Sequence, residues 1–295
     1  MSWVAVARKD FQDSIRSRTL LIVIAVFVLL LGAMTYLVTW FEPVDFSDGM
    51  SAEAYTGLVL IILSGNFPFV PSPVPAILPI IGLLLGYKAI VGERESGQLK
   101  FLLGLPHSRL DVVVGKLAGR ALVGAIAALS GIFVMMLLLV LSGSGGLALG
   151  PFVRFTLVTI VFVLVHVSIG ISISAAVPTS GWATGVVLLL IGVFQIAWGA
   201  AFTILSFVAF EEGTPNWFEF LESLRPAAAY EGALNFIVFQ PLERSLAEAD
   251  PTSAPLPEAS EVFYLSDWFG LVILLGWVLV PLAIGYALFY RADLG

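Results

Sequence analysis

The chain has 295 residues, of which 59% are apolar and only 12% charged, with no cysteine and a net charge of −7. A soluble domain needs about a quarter of its residues charged to cover its surface, so this composition, with a mean hydropathy of +1.01, specifies an integral membrane protein. The lack of cysteine excludes disulfides, thiolate metal sites and cysteine nucleophiles; the acidic balance argues against nucleic acid as a partner, and two histidines are too few for a dedicated zinc site.

Residues 1–18 predict an amphipathic interfacial helix. Trp3, Ala7, Phe11 and Ile15 recur every four positions with Val4 beside them, opposed by Lys9, Gln12, Asp13 and Arg16. Such a helix lies in the inner headgroup layer. Asp10 and Asp13 sit among four basic residues, and no small-residue cleavage site follows the next apolar run, so the segment does not read as a cleaved signal peptide. The next signal is a set of charge-free runs at 19–41, 54–87, 121–153, 155–210 and 268–290. A spanning helix needs about 20 apolar residues. The longest run therefore holds two helices, with Pro178-Thr179-Ser180-Gly181 as the turn between them. In 54–87, residues 55–64 are too short to span, and the glycine and prolines of 65–73 break a helix. One span follows from about Val74, preceded by an interfacial or re-entrant piece at 55–70. The expectation is an all-α membrane protein with a six-span domain over 19–295, its helices at 19–40, 74–92, 117–141, 154–177, 182–209 and 268–290.

Charge asymmetry supports this count. With the N-terminus inside, segments 1–18, 88–120, 178–181 and 291–295 carry 11 of the 14 Lys and Arg and 6 of the 21 Asp and Glu. The other side carries 3 and 15. That is the positive-inside pattern; a seventh span in 55–70 would put the basic loop outside. Both termini are then expected in the cytoplasm, in a multi-pass protein of the cell membrane.

The inner loop 88–120 concentrates nine charges. It also has apolar positions at Leu99, Phe101, Leu102, Leu103 and Leu105, which predict a short amphipathic helix over 93–105 ending before Pro106. Exposed apolar residues on such a knob suggest a docking surface. Gly115-Lys116 is not a phosphate-binding loop: Leu110 stands where its first glycine would be, and Leu117 where a magnesium-binding hydroxyl is required. Gly143-Ser144-Gly145-Gly146 reads as a flexible turn. ATP, if used, is bound elsewhere.

Inside the spans, His166 (near Ser168, Ser172 and Ser174) and Gln195 are candidate pathway residues. The alternative is hydrogen bonding across a helix interface, preferred for His166 because no acid lies in any span. Gly82-x-x-x-Gly86 and Gly181-x-x-x-Gly185 predict close helix packing. The acidic outer segment 211–267 predicts short apolar helices at 217–221 and 227–239 lying on the outer leaflet, and a loop over 243–260. Its acids do not recur at metal-ligand spacing.

The run Gly-Tyr-Lys-Ala-Ile-Val-Gly-Glu-Arg-Glu-Ser-Gly-Gln-Leu (86–99), then Leu-Leu-Gly-Leu-Pro-His-Ser-Arg (102–109), then Val-Val-Gly-Lys (113–116) resembles the permease subunits of ABC-2 type transporters. Among these it is similar to the small six-helix permeases of the kind found in nitrous-oxide reductase maturation systems. Gln98 stands where that family usually has Thr, and Arg225 where the stretch before the last span usually has Ser. The resemblance implies that the inner loop holds a coupling helix docking on a separate ATP-binding cassette ATPase, which would bind the ATP and magnesium; this chain needs no cofactor and is not an enzyme. It assigns that coupling role to Glu93, Arg94, Glu95, Gly97 and Leu99, with Pro106, Arg109, Gly115 and Lys116 shaping the return to the membrane. It also implies a dimer, with a second copy or a second permease, embedded in lipid and working as an exporter. Three rivals remain: an intramembrane hydrolase, which lacks an acid in any span; a secondary transporter, which usually shows repeats and midplane ionisable groups; and a non-transporting mechanotransmitting subunit.

Overall fold

The structure is a computed structural model that describes residues 3–40, 51–65, 72–99, 108–143, 147–210, 213–249 and 262–292. Among these residues there are helices and turns but no strand. Six helical stretches are long and apolar enough to cross a membrane: Arg18–Trp40, Pro73–Glu95, Arg109–Ser142, Leu149–Ala176, Ser180–Ala209 and Phe269–Arg291. Their alternating direction gives the bundle a basic end, where residues 3–18, 87–99, 108–120 and 176–180 meet, and an acidic end.

The first helix, α1 (Trp3–Ile15), turns at Ser17 into span one, α2 (Arg18–Trp40). The buried face of α1 is centred on Val6 and Asp10, whereas Trp3, Val4 and Ile15 are exposed. The predicted stripe was thus right about the helix but missed that a carboxylate sits at the middle of its packed face. A short helix, α3 (Ala52–Ser64), follows. Ser51 caps it by accepting from Ala54 N at 3.1 Å, and Gly65 ends it at φ 96°. At about 1.5 Å per residue it is too short to span. It nevertheless buries Tyr55, Val59, Leu60 and Leu63 completely, so of the interfacial or re-entrant piece expected at 55–70 the described residues 52–65 pack into the protein; 66–70 lie outside them.

Span two comprises α4 (Pro73–Gly86), a turn, and the short α5 (Val91–Glu95). The expected helix over 93–105 is interrupted: Gly97 takes φ 75°, a left-handed conformation that glycine adopts without steric cost. Residues 100–107, Pro106 among them, lie outside the described residues. Span three, α6 (Arg109–Ser142), begins eight residues before the sequence-predicted start of 117. Ser108 and Asp111 form a capping box that satisfies the first amides, and the charges at 116 and 120 are neutralised within the protein.

Span four, α7 (Leu149–Ala176), is the central helix; α4, α6 and span six all pack on it. Close approach makes this possible. A Cβ on Gly86 would lie 2.6 Å from the backbone of Gly170, so α4 and α7 cross with their backbones nearly touching, the role expected of the 82–86 glycine pair. Span five runs through α8 (Ser180–Gly192), a π-helical turn at Val193–Ala197, and α9 (Trp198–Ala209). It buries only Ala183 and Val187, and Gly181 and Gly185 meet no neighbouring helix.

At the acidic end α10 (Asn216–Ser223), α11 (Pro226–Leu234), a second π-helical turn at Asn235–Phe239, and α12 (Gln240–Ala249) precede span six, α13 (Phe269–Arg291). Two expectations are corrected here. The 227–239 segment does not lie on the leaflet: Ala229, Tyr230, Ala233, Leu234 and Val238 are buried against α7 and α13. Tyr230 stacks on Phe162 and shares a 2.9 Å hydrogen bond with Thr159, which anchors it inside. The start of the expected loop at 243 is helical to Ala249.

Candidate functional site

Two cations one helical turn apart, Lys116 and Arg120, lie in the first turns of α6. Lys116 is only 2% exposed. A buried ammonium is tolerated only with anions around it, and α1 and α5 supply them. Lys116 Nζ is 3.1 Å from Asp10 Oδ1 and 2.9 Å from Glu93 Oε1. Arg120 holds the same aspartate through Nε (2.7 Å to Oδ2) and Nη2 (3.2 Å to Oδ1), and its Nη1 donates to the Leu85 carbonyl of α4. At the rim, Lys9 reaches Glu93 at 3.3 Å. Burial raises the Asp10 pKa, but the adjacent Arg120 and Lys116 lower it further, and the net effect holds the carboxyl below its ordinary value of 3.8.

The backbone permits this cluster. A Cβ on Gly115 would sit 2.7 Å from the Trp3 carbonyl oxygen, and one on Gly119 2.5 Å from that of Ala7. The two glycines cut a track along α6 into which α1 sinks, bringing Asp10 to both cations.

The neighbouring residues of α5 are tied to helix ends. Ser174 of α7 accepts from the amides of Ile90 (2.9 Å) and Val91 (3.0 Å), capping α5 from outside. Arg94 donates to the carbonyls of Val177 (3.1 Å) and Ala175 (3.3 Å), at the C-terminus of α7. Glu95 accepts from the Ser180 amide at 2.8 Å and from its hydroxyl, at the N-terminus of α8. A cation on one helix's carbonyl end and a carboxylate on the next helix's amide end each complement the local dipole. Arg109 does the same for α13, donating to the carbonyls of Phe289, Tyr290 and Ala292, while the Arg109 and Arg94 guanidiniums lie 5.3 and 5.9 Å from the centre of the Phe289 ring.

Of the sequence-predicted coupling residues, Glu93 and Lys116 share the ion-pair cluster, with Gly115 beneath it, while Arg94, Glu95 and Arg109 are tied separately to the ends of α7, α8 and α13. Leu99 is 1% exposed and part of the core. Gly97 turns the chain at the tip of α5, just past its last residue, with Ser96 and Gln98 exposed on either side. The three charged side chains 93–95 thus contact this chain's own helices. Sequence reasoning missed Asp10, Arg120, Ser174 and Ser180. The signal for Asp10 was available: two cations at an i, i+4 spacing within an apolar helix require an anion from another element.

The two polar candidates within the spans are both engaged in packing. His166 Nδ1 lies 2.9 Å from the Phe162 carbonyl of its own helix, and the ring meets Phe162 edge-on. Gln195 sits in the π-helical turn of span five and donates to the carbonyls of Pro75 (3.0 Å) and Ala76 (3.3 Å). Pro79, inside α4, has no N–H, so the Pro75 carbonyl four residues earlier loses its helical donor; the Gln195 amide replaces it. Among the described residues no group of three or more His, Asp or Glu is placed to hold a metal ion.

A family model for ABC-2 family transporter proteins matches residues 4–294. The chain is 28% identical to a protein of Stutzerimonas stutzeri named probable ABC transporter permease protein NosY, over 97% of each chain. It is 27% identical, over 97% of each, to the protein of that name from Pseudomonas aeruginosa. With six apolar helices long enough to span a membrane and a match over nearly its whole length, the chain belongs to the ABC-2 transporter family, as a membrane permease subunit.

Proposed function

We propose that this permease is driven by a separate ATP-binding cassette subunit docking at the Ser96–Gln98 tip, and that α5 passes the motor's movement to three places in the membrane domain. The observation that carries this is the set of ties made by three consecutive side chains: Glu93 to α6 and α1 through Lys116, Arg94 to the end of α7, and Glu95 to the start of α8. A push on the tip therefore acts on the α7–α8 turn and on the α1–α6 pair at once. Glu93 Oε2 and Arg94 Nε are buried without a hydrogen-bond partner, which makes displacement of α5 less costly than breaking a saturated network. The positive-inside bias supports a reading in which the basic end, both termini and this tip face the cytoplasm.

The transport reading adds a dimer. Span five presents apolar side chains such as Ile196 and Phe207, 71% and 82% exposed, to a second permease, identical or different. ATP-driven movement at α8 would open an export path along that interface. A non-transporting, force-transmitting subunit is the second reading, favoured by one observation: both polar groups singled out within the spans, His166 and Gln195, are spent on packing.

The test separates docking from transmission. Cysteines at Ser96 or Gln98 should cross-link to the ATPase subunit. Glu95→Ala, which removes the tie to Ser180, should leave co-purification with the ATPase intact while abolishing the response of ATP turnover to substrate. Loss of binding in Glu95→Ala, or no cross-link from either tip position, would show that α5 is not the transmitting element.

A further inference from the structure

A cleft of about 310 Å³ opens at the basic end, between the α1–α2 elbow and the last turn of α4. Its depth is set by the sequence: Thr19, on its wall, is the first residue of the charge-free run of span one, so the cleft lies where headgroups meet acyl chains. One side is apolar, formed by Leu20, Leu84 and Leu85. The other offers the hydroxyls of Ser14, Ser17 and Thr19 and the cations Lys88 and Arg120.

The donors are not used up. Lys88 is exposed, makes no ion pair with any described residue, and sits 5.1 Å from the centre of the Tyr87 ring, also on the wall. Ser17 Oγ accepts a long 3.4 Å contact from Leu20 N, leaving its O–H to donate outward. Arg120 commits three of its five N–H groups to Asp10 and Leu85, and two remain. Asp13 is the one acid on the wall and Glu95 acts on Lys88 from outside it; the Arg120 charge is matched by Asp10, so the positive character of the cleft comes from Lys88 with Arg16 and Arg18, adjacent in the chain. A basic, hydroxyl-lined notch with an apolar flank, between helices at headgroup depth, has the chemistry of a phospholipid headgroup site.

We propose that this cleft binds an anionic glycerophospholipid of the leaflet at the basic end, its phosphate on Lys88, Ser17 and Thr19 and its acyl chains along Leu20 and Leu84. Asp13 is placed to accept from a headgroup hydroxyl, which favours a glycerol headgroup over a bare phosphate. The bound lipid would wedge the elbow of α1, directly behind the Asp10–Lys116–Glu93 cluster.

The experiment is a lipid titration of the full-length chain in detergent, read by native mass spectrometry. Phosphatidylglycerol, phosphatidylcholine and inorganic phosphate are tested as separate arms. Phosphatidylglycerol is expected to bind at one tight site and phosphatidylcholine not; inorganic phosphate at the same concentration is expected not to displace it. Lys88→Gln should weaken that site about fivefold, and Ser17→Ala/Thr19→Val should weaken it independently. Arg291→Gln, a charge removed from the same end but away from the cleft, should leave it unchanged. Equal loss in Lys88→Gln and Arg291→Gln would show general charge attraction and overturn the site. Displacement by inorganic phosphate would assign the cleft to a free anion, and equal binding of phosphatidylcholine would remove the role of charge; either refutes the lipid assignment.

Discussion

Lys116→Met is the most informative single change. The side chain is 2% exposed, its ammonium lies between Asp10 and Glu93, and methionine matches its length without its charge. Asp10 would keep two hydrogen bonds from Arg120. Glu93 would keep only Lys9, itself 49% exposed, and its second carboxylate oxygen is already without a partner. Breaking a buried pair by removing one member costs about 3–5 kcal/mol; the bonds that Asp10 retains place this variant near the lower figure. Lys9→Ala removes the rim pair, for which about 0–1 kcal/mol is typical. The assay is thermal unfolding of the purified full-length protein, followed by tryptophan fluorescence with size exclusion as a check. Adding Glu93→Gln to Lys116→Met should recover part of the loss, because it removes the stranded charge, and the cycle should show a coupling of about 1–3 kcal/mol. If Lys116→Met is no more damaging than Lys9→Ala, or the two changes simply add, Lys116 does not join α1 and α5.

Gly119→Ala forces a Cβ to within 2.5 Å of the Ala7 carbonyl and should cost about 1–3 kcal/mol, seen as faster hydrogen exchange across residues 3–15; Gly185→Ala, which meets nothing within 4 Å, should not. The Asp10 pKa is depressed, so the stability it contributes is present above its unfolded value near 3.8 and lost as pH falls through the lower folded value. Melting temperature should therefore show no Asp10-dependent change from about pH 5 to 8 and a drop below about pH 4 that Asp10→Asn abolishes. Single cysteines at Ser96 and Asn216 should react with an impermeant reagent from opposite sides of the membrane; labelling of both from one side would contradict the assignment of the basic end to the cytoplasm.

Charge-free runs located all six spans because a lipid-facing helix cannot carry unpaired charge, and that constraint acts on each residue separately. It failed where charges are paired. Lys116 moved the expected start of span three to 117, although Ser108 and Asp111 already spelled a helix start. The same limit applied to α3 and α11. Both are too short to span, and whether a short apolar helix lies on the membrane or inside the protein depends on partners such as Thr159 and Phe162, which are remote in sequence. Glu93, Arg94 and Glu95 were legible as a cluster of charges at a helix end. The groups they meet were not: Lys116, Val177 and Ser180 are remote in sequence, and only the fold brings them to these side chains.

The Gln195 amide on the Pro75 carbonyl has an evolutionary consequence. Pro79 creates the vacancy that Gln195 fills, so the two positions form one unit of selection despite lying on different spans. A lineage that replaced Pro79 with a residue carrying an N–H would restore the helical bond to Pro75 and free position 195 to become apolar. One that lost Gln195 first would leave a bare carbonyl in the bilayer. Substitution at these sites should therefore run in a fixed order, proline first, and relatives that lack the proline should be the ones in which the amide has disappeared.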